Sequence, residues 1–265
     1  MPLFKDIEFF NGVSAPLQWA IFIVALLIII VGVFSVIISI WLSIKYVVYN
    51  RTMNKAGING EQAARKILDK NGLEKIKVSV VGSMLFGNSY SHYFKKVRLR
   101  RLTVKKNSIS SLAMGAEKSA LAILDKEGDK DMKTRIVLTP ITFFGPIAFV
   151  PIIAIGVIVD IIAFNFTGIV TIIASAIALS FYIASFVLSL MVLKTEVKAQ
   201  NRALEVLEQE QMADEDEREM MKKLFKLYNI QYVNDLVLQL LEIILRVLMI
   251  FANAQSSSSS SSSSN

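Results

Sequence analysis

The sequence predicts a membrane protein, mainly α-helical, with about four transmembrane helices and a small cytoplasmic α+β unit between the first and the second. Two observations carry this expectation. Of 265 residues 54% are hydrophobic and the mean hydropathy is +0.52, yet the chain still holds 29 basic and 22 acidic side chains. Those charges are gathered into blocks, and the apolar runs between the blocks exceed the roughly 18 residues that suggest a bilayer span.

The first run covers residues 17–47, interrupted by Ser35, Ser39, Ser43 and Lys45. It follows a short external segment, residues 1–16. Trp19 near one end and Trp41, Tyr46 and Tyr49 near the other suit the two interfaces, and Lys45 is placed to snorkel. The run is too long for the apolar stretch of a signal peptide and its N-terminal flank is not basic, so it reads as a retained anchor.

Residues 50–135 read as the α+β unit. Asn59 to Gln62 starts a helix with a capping box, and Asn71-Gly72 ends it. A strand is expected near residues 76–81, a Gly- and Ser-rich excursion over 82–91, and a second strand over 96–104 with roughly alternating apolar residues. Arg98, Arg100, Arg101, Lys105 and Lys106 form a basic patch for anionic lipid or a partner, or simply a solvated edge that discourages aggregation. A helix over 108–124 and a charged linker over 126–133 complete the unit.

Residues 139–193 read as a transmembrane hairpin whose turn falls at Asn165-Phe166, and Pro140, Pro146 and Pro151 are expected to kink its first helix. The tripeptide Asn165-Phe166-Thr167 matches a glycosylation acceptor but lies too near the bilayer for use. Residues 194–231 form a second cytoplasmic, helical stretch with an exposed helix that begins acidic, at residues 214–217, and ends basic. Residues 232–252 are a fourth transmembrane or membrane-surface helix, carrying Asp235, Glu242 and Arg246; the i, i+4 spacing lets Glu242 and Arg246 pair. Residues 253–265 are a Ser-rich tail that cannot form a core.

Lys and Arg set the topology. Residues 50–135 hold 19 of them and residues 194–231 hold 7, together 26 of the 29. The positive-inside rule puts both stretches in the cytoplasm and both termini outside. The basic balance serves anionic head groups and gives no sign of nucleic-acid binding. Membrane lipids are the expected partners, with other membrane proteins or further copies of the chain.

Composition also closes off chemistry. The chain has no cysteine, which excludes disulfides and thiolate sites, and one histidine, His92. Ser-His-Asp and Cys-His arrangements need a histidine, and common zinc sites need two or more. Beside Tyr90 and Tyr93, His92 reads as a surface residue. Residues 82–87 lack the Lys and Ser or Thr of a phosphate-binding loop.

Several segments carry a resemblance. Residues 56–61 (Ala-Gly-Ile-Asn-Gly-Glu), 63–69, Asn71-Gly72-Leu73 and Val78 look like the opening of the YugP-like neutral zinc metallopeptidases of bacterial membranes. The order of parts is similar too: anchor, helix-and-strand unit, motif helix, transmembrane hairpin, a V-E-F-D-A-S-like segment and a terminal apolar helix. Residues 195–205 occupy the place of that last motif. The resemblance implies a helix bearing H-E-x-x-H, two zinc ligands one turn apart with a glutamate as general base.

Here that stretch reads Glu117-Lys118-Ser119-Ala120-Leu121. Glu117 stands at the first ligand position, Lys118 at the base and Leu121 at the second ligand, while Glu196 keeps the third ligand position and Lys198 replaces an acid. The family's D-H-Y-D segment has become Asn88-Ser89-Tyr90-Ser91. The expected reading is an inactive homologue with a vestigial pocket of Glu117, Lys118, Leu121, Glu196 and Lys198, without catalytic or metal-binding residues or cofactor, serving as a membrane scaffold or protein-binding subunit. A divergent active peptidase and a transport subunit using Asp160, Asp235, Glu242 and Arg246 stay open. In the emptied pocket Glu196 is expected to approach Lys118, and Glu117 to approach Lys198.

Overall fold

The structure, a computed structural model, describes residues 12–81, 87–164 and 168–262. The hairpin turn at Asn165-Phe166, its acceptor tripeptide and the excursion over 82–86 lie outside the described residues. The chain is mainly helical: α1 (Ala15–Arg51), α2 (Gly60–Lys70), β1 (Lys77–Val81), β2 (Ser89–Ser91), β3 (Lys96–Arg100), α3 (Arg101–Lys105), α4 (Ile109–Lys126), α5 (Lys130–Phe164), α6 (Ile169–Gln209) and α7 (Glu215–Ser262). Among the described residues three helical stretches are long and apolar enough to cross a membrane, Ala15–Arg51, Ile147–Phe164 and Ile169–Gln209.

The chain divides into two units. One comprises Met1–Ile37, Phe144–Phe186 and Val233–Asn265, the other Ile38–Phe143 and Val187–Tyr232.

In the second unit α4 is the centre. From Ile109 to Leu124 every residue except Lys118 is buried, the pattern of a helix packed on all sides. Ser108 caps it by accepting from the Ser111 N–H. Leu112, Leu121 and Ile123 of α4 share one core with Ile67 of α2, Ala203 and Leu207 of α6, and Met221 and Leu224 of α7. Small residues set the approach of α2. A Cβ on Gly115 would stand 2.3 Å from the Gly60 carbonyl oxygen, and one on Gly60 would stand 2.6 Å from that of Ser111. The expected capping box is present, with Asn59 Oδ1 accepting from the Gln62 N–H and Gln62 Oε1 from the Asn59 N–H, each at 2.9 Å.

The sheet order is β1-β3-β2, with β1 parallel and β2 antiparallel to the central β3. Val97 and Leu99 point inward against Ala64, Leu68 and Ile76, and the alternate residues face away, the period of two a half-buried strand requires. The second strand is shorter than the expected 96–104. It ends at Arg100, which pairs with Val81, the last residue of β1, and whose N–H donates to Asn88 Oδ1 at 2.7 Å. Residues 101–105 turn into a short helix, which buries Thr103 and leaves Leu102 54% exposed. The apolar alternation beyond Arg100 was therefore not a strand signal. Ser89–Ser91, expected in an irregular excursion, form the third strand. The charged linker of residues 126–133 is also shorter than expected, because α5 begins at Lys130 and continues through Pro140, Pro146 and Pro151.

The acidic run at residue 214 is not a free helix start. Asp214 Oδ1 accepts from the Glu217 N–H at 2.9 Å and Glu217 Oε2 from the Asp214 N–H at 3.1 Å, a capping box, while Glu217 Oε1 accepts from the Lys55 N–H at 2.7 Å. Glu217 is 2% exposed, and the helix it opens runs on without a break through residues 232–252 and into the serines.

In the first unit Phe149, Ala178, Tyr182 and Ile243 form one buried cluster, and Val13, Ile21 and Ala252 another. Large apolar side chains such as Ile29, Val33, Ile155 and Ile162 are exposed, as suits helices whose solvent is hydrocarbon. Three of the described charged groups of this unit, Asp160, Glu242 and Arg246, have protein partners, while Asp235 is exposed. Asp160, fully buried, accepts from the Thr171 N–H at 3.2 Å and hydroxyl at 2.8 Å. Ser35 Oγ lies 3.4 Å from Asp235 Oδ1. Glu242 and Arg246 do not pair as their spacing allows: Glu242 accepts from the Tyr182 hydroxyl at 2.6 Å, and the Arg246 guanidinium lies 4.0 Å from the Phe149 ring centroid.

Candidate functional site

The motif helix α4 and the segment of α6 around residue 196 meet within the second unit. Lys118, the one residue of the α4 core stretch that is not buried outright, carries its ammonium into a cluster of acids. Its Nζ lies 3.0 Å from Glu117 Oε2 and 3.1 Å from Glu196 Oε2. The Arg135 guanidinium donates to the other oxygen of Glu196. Glu117 Oε1 accepts from Gln200 Nε2 at 3.1 Å, and Gln200 and Asn229 exchange two amide hydrogen bonds at 3.1 and 2.8 Å. Leu121, at the second ligand position, is 1% exposed within the core. A cavity of about 290 Å³ opens over the cluster, bounded by Asn88, Arg100, Met114, Tyr228 and Tyr232.

Burial disfavours charge on Glu117 and pushes its carboxyl above the usual range, although the Lys118 charge opposes this. Burial alone would push Lys118 down. The Glu117 and Glu196 charges outweigh it and hold the ammonium above the ordinary lysine range, so Lys118 is cationic at neutral pH. Burial pushes the Tyr228 hydroxyl up as well.

Half of the expected replacement cluster is present. Glu196 meets Lys118 as anticipated, but Glu117 does not meet Lys198. Lys198 points along the outer face of α6 and pairs with Asp129, with Asp131 Oδ2 at 3.7 Å, because its side chain is 45% exposed there. Arg135 and Gln200 take the places the sequence reading gave to Lys198. Gln200 carried a signal, since it is one turn beyond Glu196 and so shares its helix face. Arg135 carried none, lying far from both motifs in sequence.

The basic patch does not form one strand edge. Arg98 stacks 5.4 Å from the Phe94 ring centroid, Arg100 borders the cavity, and Arg101, Lys105 and Lys106 are exposed on and after α3. His92 is not a free surface residue: its Nδ1 lies 2.6 Å from Asp125 Oδ2, which also accepts from the Tyr90 hydroxyl at 2.5 Å. Burial, with the Asp125 carboxylate, pushes that hydroxyl up.

With this geometry in place the comparisons with known proteins are decisive for the family. The profile of the family described as "Putative neutral zinc metallopeptidase" matches residues 23–252. The chain belongs to this family. No curated protein and no solved structure matches it. The metallopeptidase family implies a zinc ion, and the donor set of this chain does not fit one. Zinc in such a site takes histidine nitrogens and a carboxylate; here an ammonium already satisfies both carboxylates, a second cation holds Glu196, Leu121 offers no donor, and His92 is engaged by Asp125. Among the described residues no three His, Cys, Asp or Glu side chains gather as ligands.

Proposed function

We propose that this metallopeptidase-family chain is catalytically inactive, keeps the membrane scaffold of the family in a bacterial cell membrane, and uses the cavity over Lys118 to bind a segment of another membrane protein. The observation that carries this reading is the Lys118 ammonium between Glu117 and Glu196. A protonated lysine at the position of the general base takes no proton from water, and its charge repels a dication. The cavity is lined by Met114, Tyr228 and Tyr232 together with the amides of Gln200 and Asn229, the mixture of apolar wall and few polar groups that suits a side chain with its peptide. The purified protein is expected to contain no stoichiometric zinc and to cleave no peptide. About one zinc per chain in metal analysis, lost on replacing Glu117 and Glu196 together, would contradict the reading.

We further propose that residues 50–135 and 194–231 are cytoplasmic, both termini external, and residues 232–252 a fourth membrane-crossing segment. The concentration of 26 of the 29 basic residues in the two stretches supports this, as does the hydrophobic core to which both contribute. Because the chain has no cysteine, single cysteines replacing Ser91 and Ser256 are free of background. An impermeant thiol reagent added to intact cells is expected to label position 256 and spare position 91. The opposite pattern reverses the topology, and protection of both removes the fourth crossing.

A further inference from the structure

A second cavity, of about 390 Å³, lies wholly within the unit that contains the apolar spans, and nothing in the peptidase scaffold assigns it a role. It is lined by Phe149 and Ile153 of α5, Ser175 of α6, and Glu242, Arg246 and Met249 of α7. Its two charges are arranged in an unusual way. Glu242 and Arg246 are one helical turn apart, the spacing that favours an internal ion pair, and a pair is the ordinary way to lower the cost of charges at membrane depth. They do not use it. Among the described residues Arg246 has no carboxylate within ion-pair distance; its guanidinium carbon lies over the Phe149 ring, 4.0 Å from its centroid, and 5.1 Å from that of Tyr182. Its Nε–H is buried and, among the described residues, without a hydrogen-bond partner. The Glu242 carboxylate has turned to the Tyr182 hydroxyl.

Stacking on an aromatic face engages the plane of a guanidinium rather than its N–H edge, and beyond the Tyr182 hydroxyl, which Arg246 also reaches, that edge matches the paired oxygens of a phosphate. A simple anion bound there would face Glu242, and a simple cation would face Arg246. A ligand carrying both signs, phosphate toward Arg246 and ammonium toward Glu242, satisfies each group at once. Ile153 and Met249 offer apolar wall beyond the charges, and Ile250 and Phe251 beside them are exposed apolar side chains, so the source of such a ligand is the surrounding bilayer. We propose that this cavity binds the head group of a zwitterionic phospholipid that bears a primary ammonium, with its chains along the exposed faces of α5 and α7. The proposal rests on residues 232–252 lying in the membrane and is independent of the loss of zinc.

The test uses the full chain in detergent, melted with equal mole fractions of dioleoyl phosphatidylethanolamine, phosphatidylcholine or phosphatidylglycerol, or with soluble O-phosphorylethanolamine. The ethanolamine lipid is expected to raise the melting temperature by roughly 5 °C at saturation. Phosphatidylcholine, whose head has no N–H for Glu242, and phosphatidylglycerol, which has no ammonium, raise it less. The soluble head group, lacking chains, has little effect; an equal shift with it would overturn the lipid source. The ethanolamine-specific increment, taken over each variant's own lipid-free melt, is expected to vanish in Arg246→Gln and Glu242→Gln and to survive in part in Arg246→Lys. Equal shifts with all three lipids, or an increment that persists in the Arg246→Gln, Glu242→Gln double variant, overturn the site. Native mass spectrometry of the unaltered chain from an equimolar lipid mixture gives a second reading that needs no variant. Preferential retention of the ethanolamine lipid supports the site, and indifference overturns it. Failure of the membrane reading itself appears separately, as protection of cysteines at both position 91 and position 256.

Discussion

Replacing Lys118 with methionine is expected to destabilise the protein by about 3–5 kcal/mol, the range for removing one partner of a buried ion pair. The side chain is of similar length, so the loss is of charge rather than of packing. Without the ammonium, Glu117 keeps only the Gln200 amide as donor, and Glu196 keeps Arg135. Glu117 is the group left worst served, because it is 4% exposed and among the described residues has no other cation within ion-pair distance. Adding Glu117→Gln to Lys118→Met is therefore expected to recover a large part of the loss, a coupling that a double-mutant cycle reads directly. Lys198→Met serves as the contrast: Lys198 is itself 45% exposed, and its melt should change far less.

The pH dependence carries a sign of its own. Lys118 has its folded-state pKa raised, so its contribution is fully present below the ordinary lysine value near 10.5 and is lost as pH rises through the higher folded value. Glu117 also has its folded-state pKa raised, which for an acid is a penalty that falls away as pH drops through that value and is absent below about 4.5. The unaltered protein should lose stability in alkali, whereas Lys118→Met should gain relative to it on mild acidification. Thermal melts in detergent across pH 4 to 11 distinguish the two. A Lys118→Met protein as stable as the original at pH 7 would show that the cluster does not hold α4 to α6.

The second large effect is expected at Gly115. A methyl group there would stand 2.3 Å from the Gly60 carbonyl oxygen and 3.0 Å from the Gly60 Cα, all backbone atoms, so no side chain can swing aside to relieve it. The helices α2 and α4 must separate along their whole crossing, which also opens the contacts of Ala63 and Ile67 with the core. Gly115→Ala is expected to cost about 3 kcal/mol, the upper part of the usual range for overpacking, and Gly115→Val to prevent folding. Gly87→Ala, where a Cβ meets nothing within 4 Å, should leave the melt unchanged. An unaltered melt for Gly115→Ala would show that the two helices do not approach as closely as described.

Run length, periodicity, capping chemistry and motif order were enough to give the membrane character, the α2, β1 and α4 elements of the second unit, the Asn59 cap and the family, because each rests on local pattern. The sequence also located the altered motif, since Glu117, Lys118 and Leu121 are three positions of one helix. Where those side chains would find partners was a different matter. Helical spacing put Lys198 two residues from Glu196 and thus on another face, which the linear motif concealed, and Arg135 entered the cluster from a segment read as the end of a cytoplasmic stretch. The same limit applies to Glu242 and Arg246, whose i, i+4 spacing allowed a pair that Tyr182 and Phe149, from two other elements, drew apart. Strand length was likewise decided by the fold, because β3 ends at Arg100, opposite the last residue of β1, and not where its own apolar alternation ends. Local rules fix which face a residue occupies, but the partner of a buried charge is whichever group the packed chain brings within about 3 Å, and that distance exists only after folding.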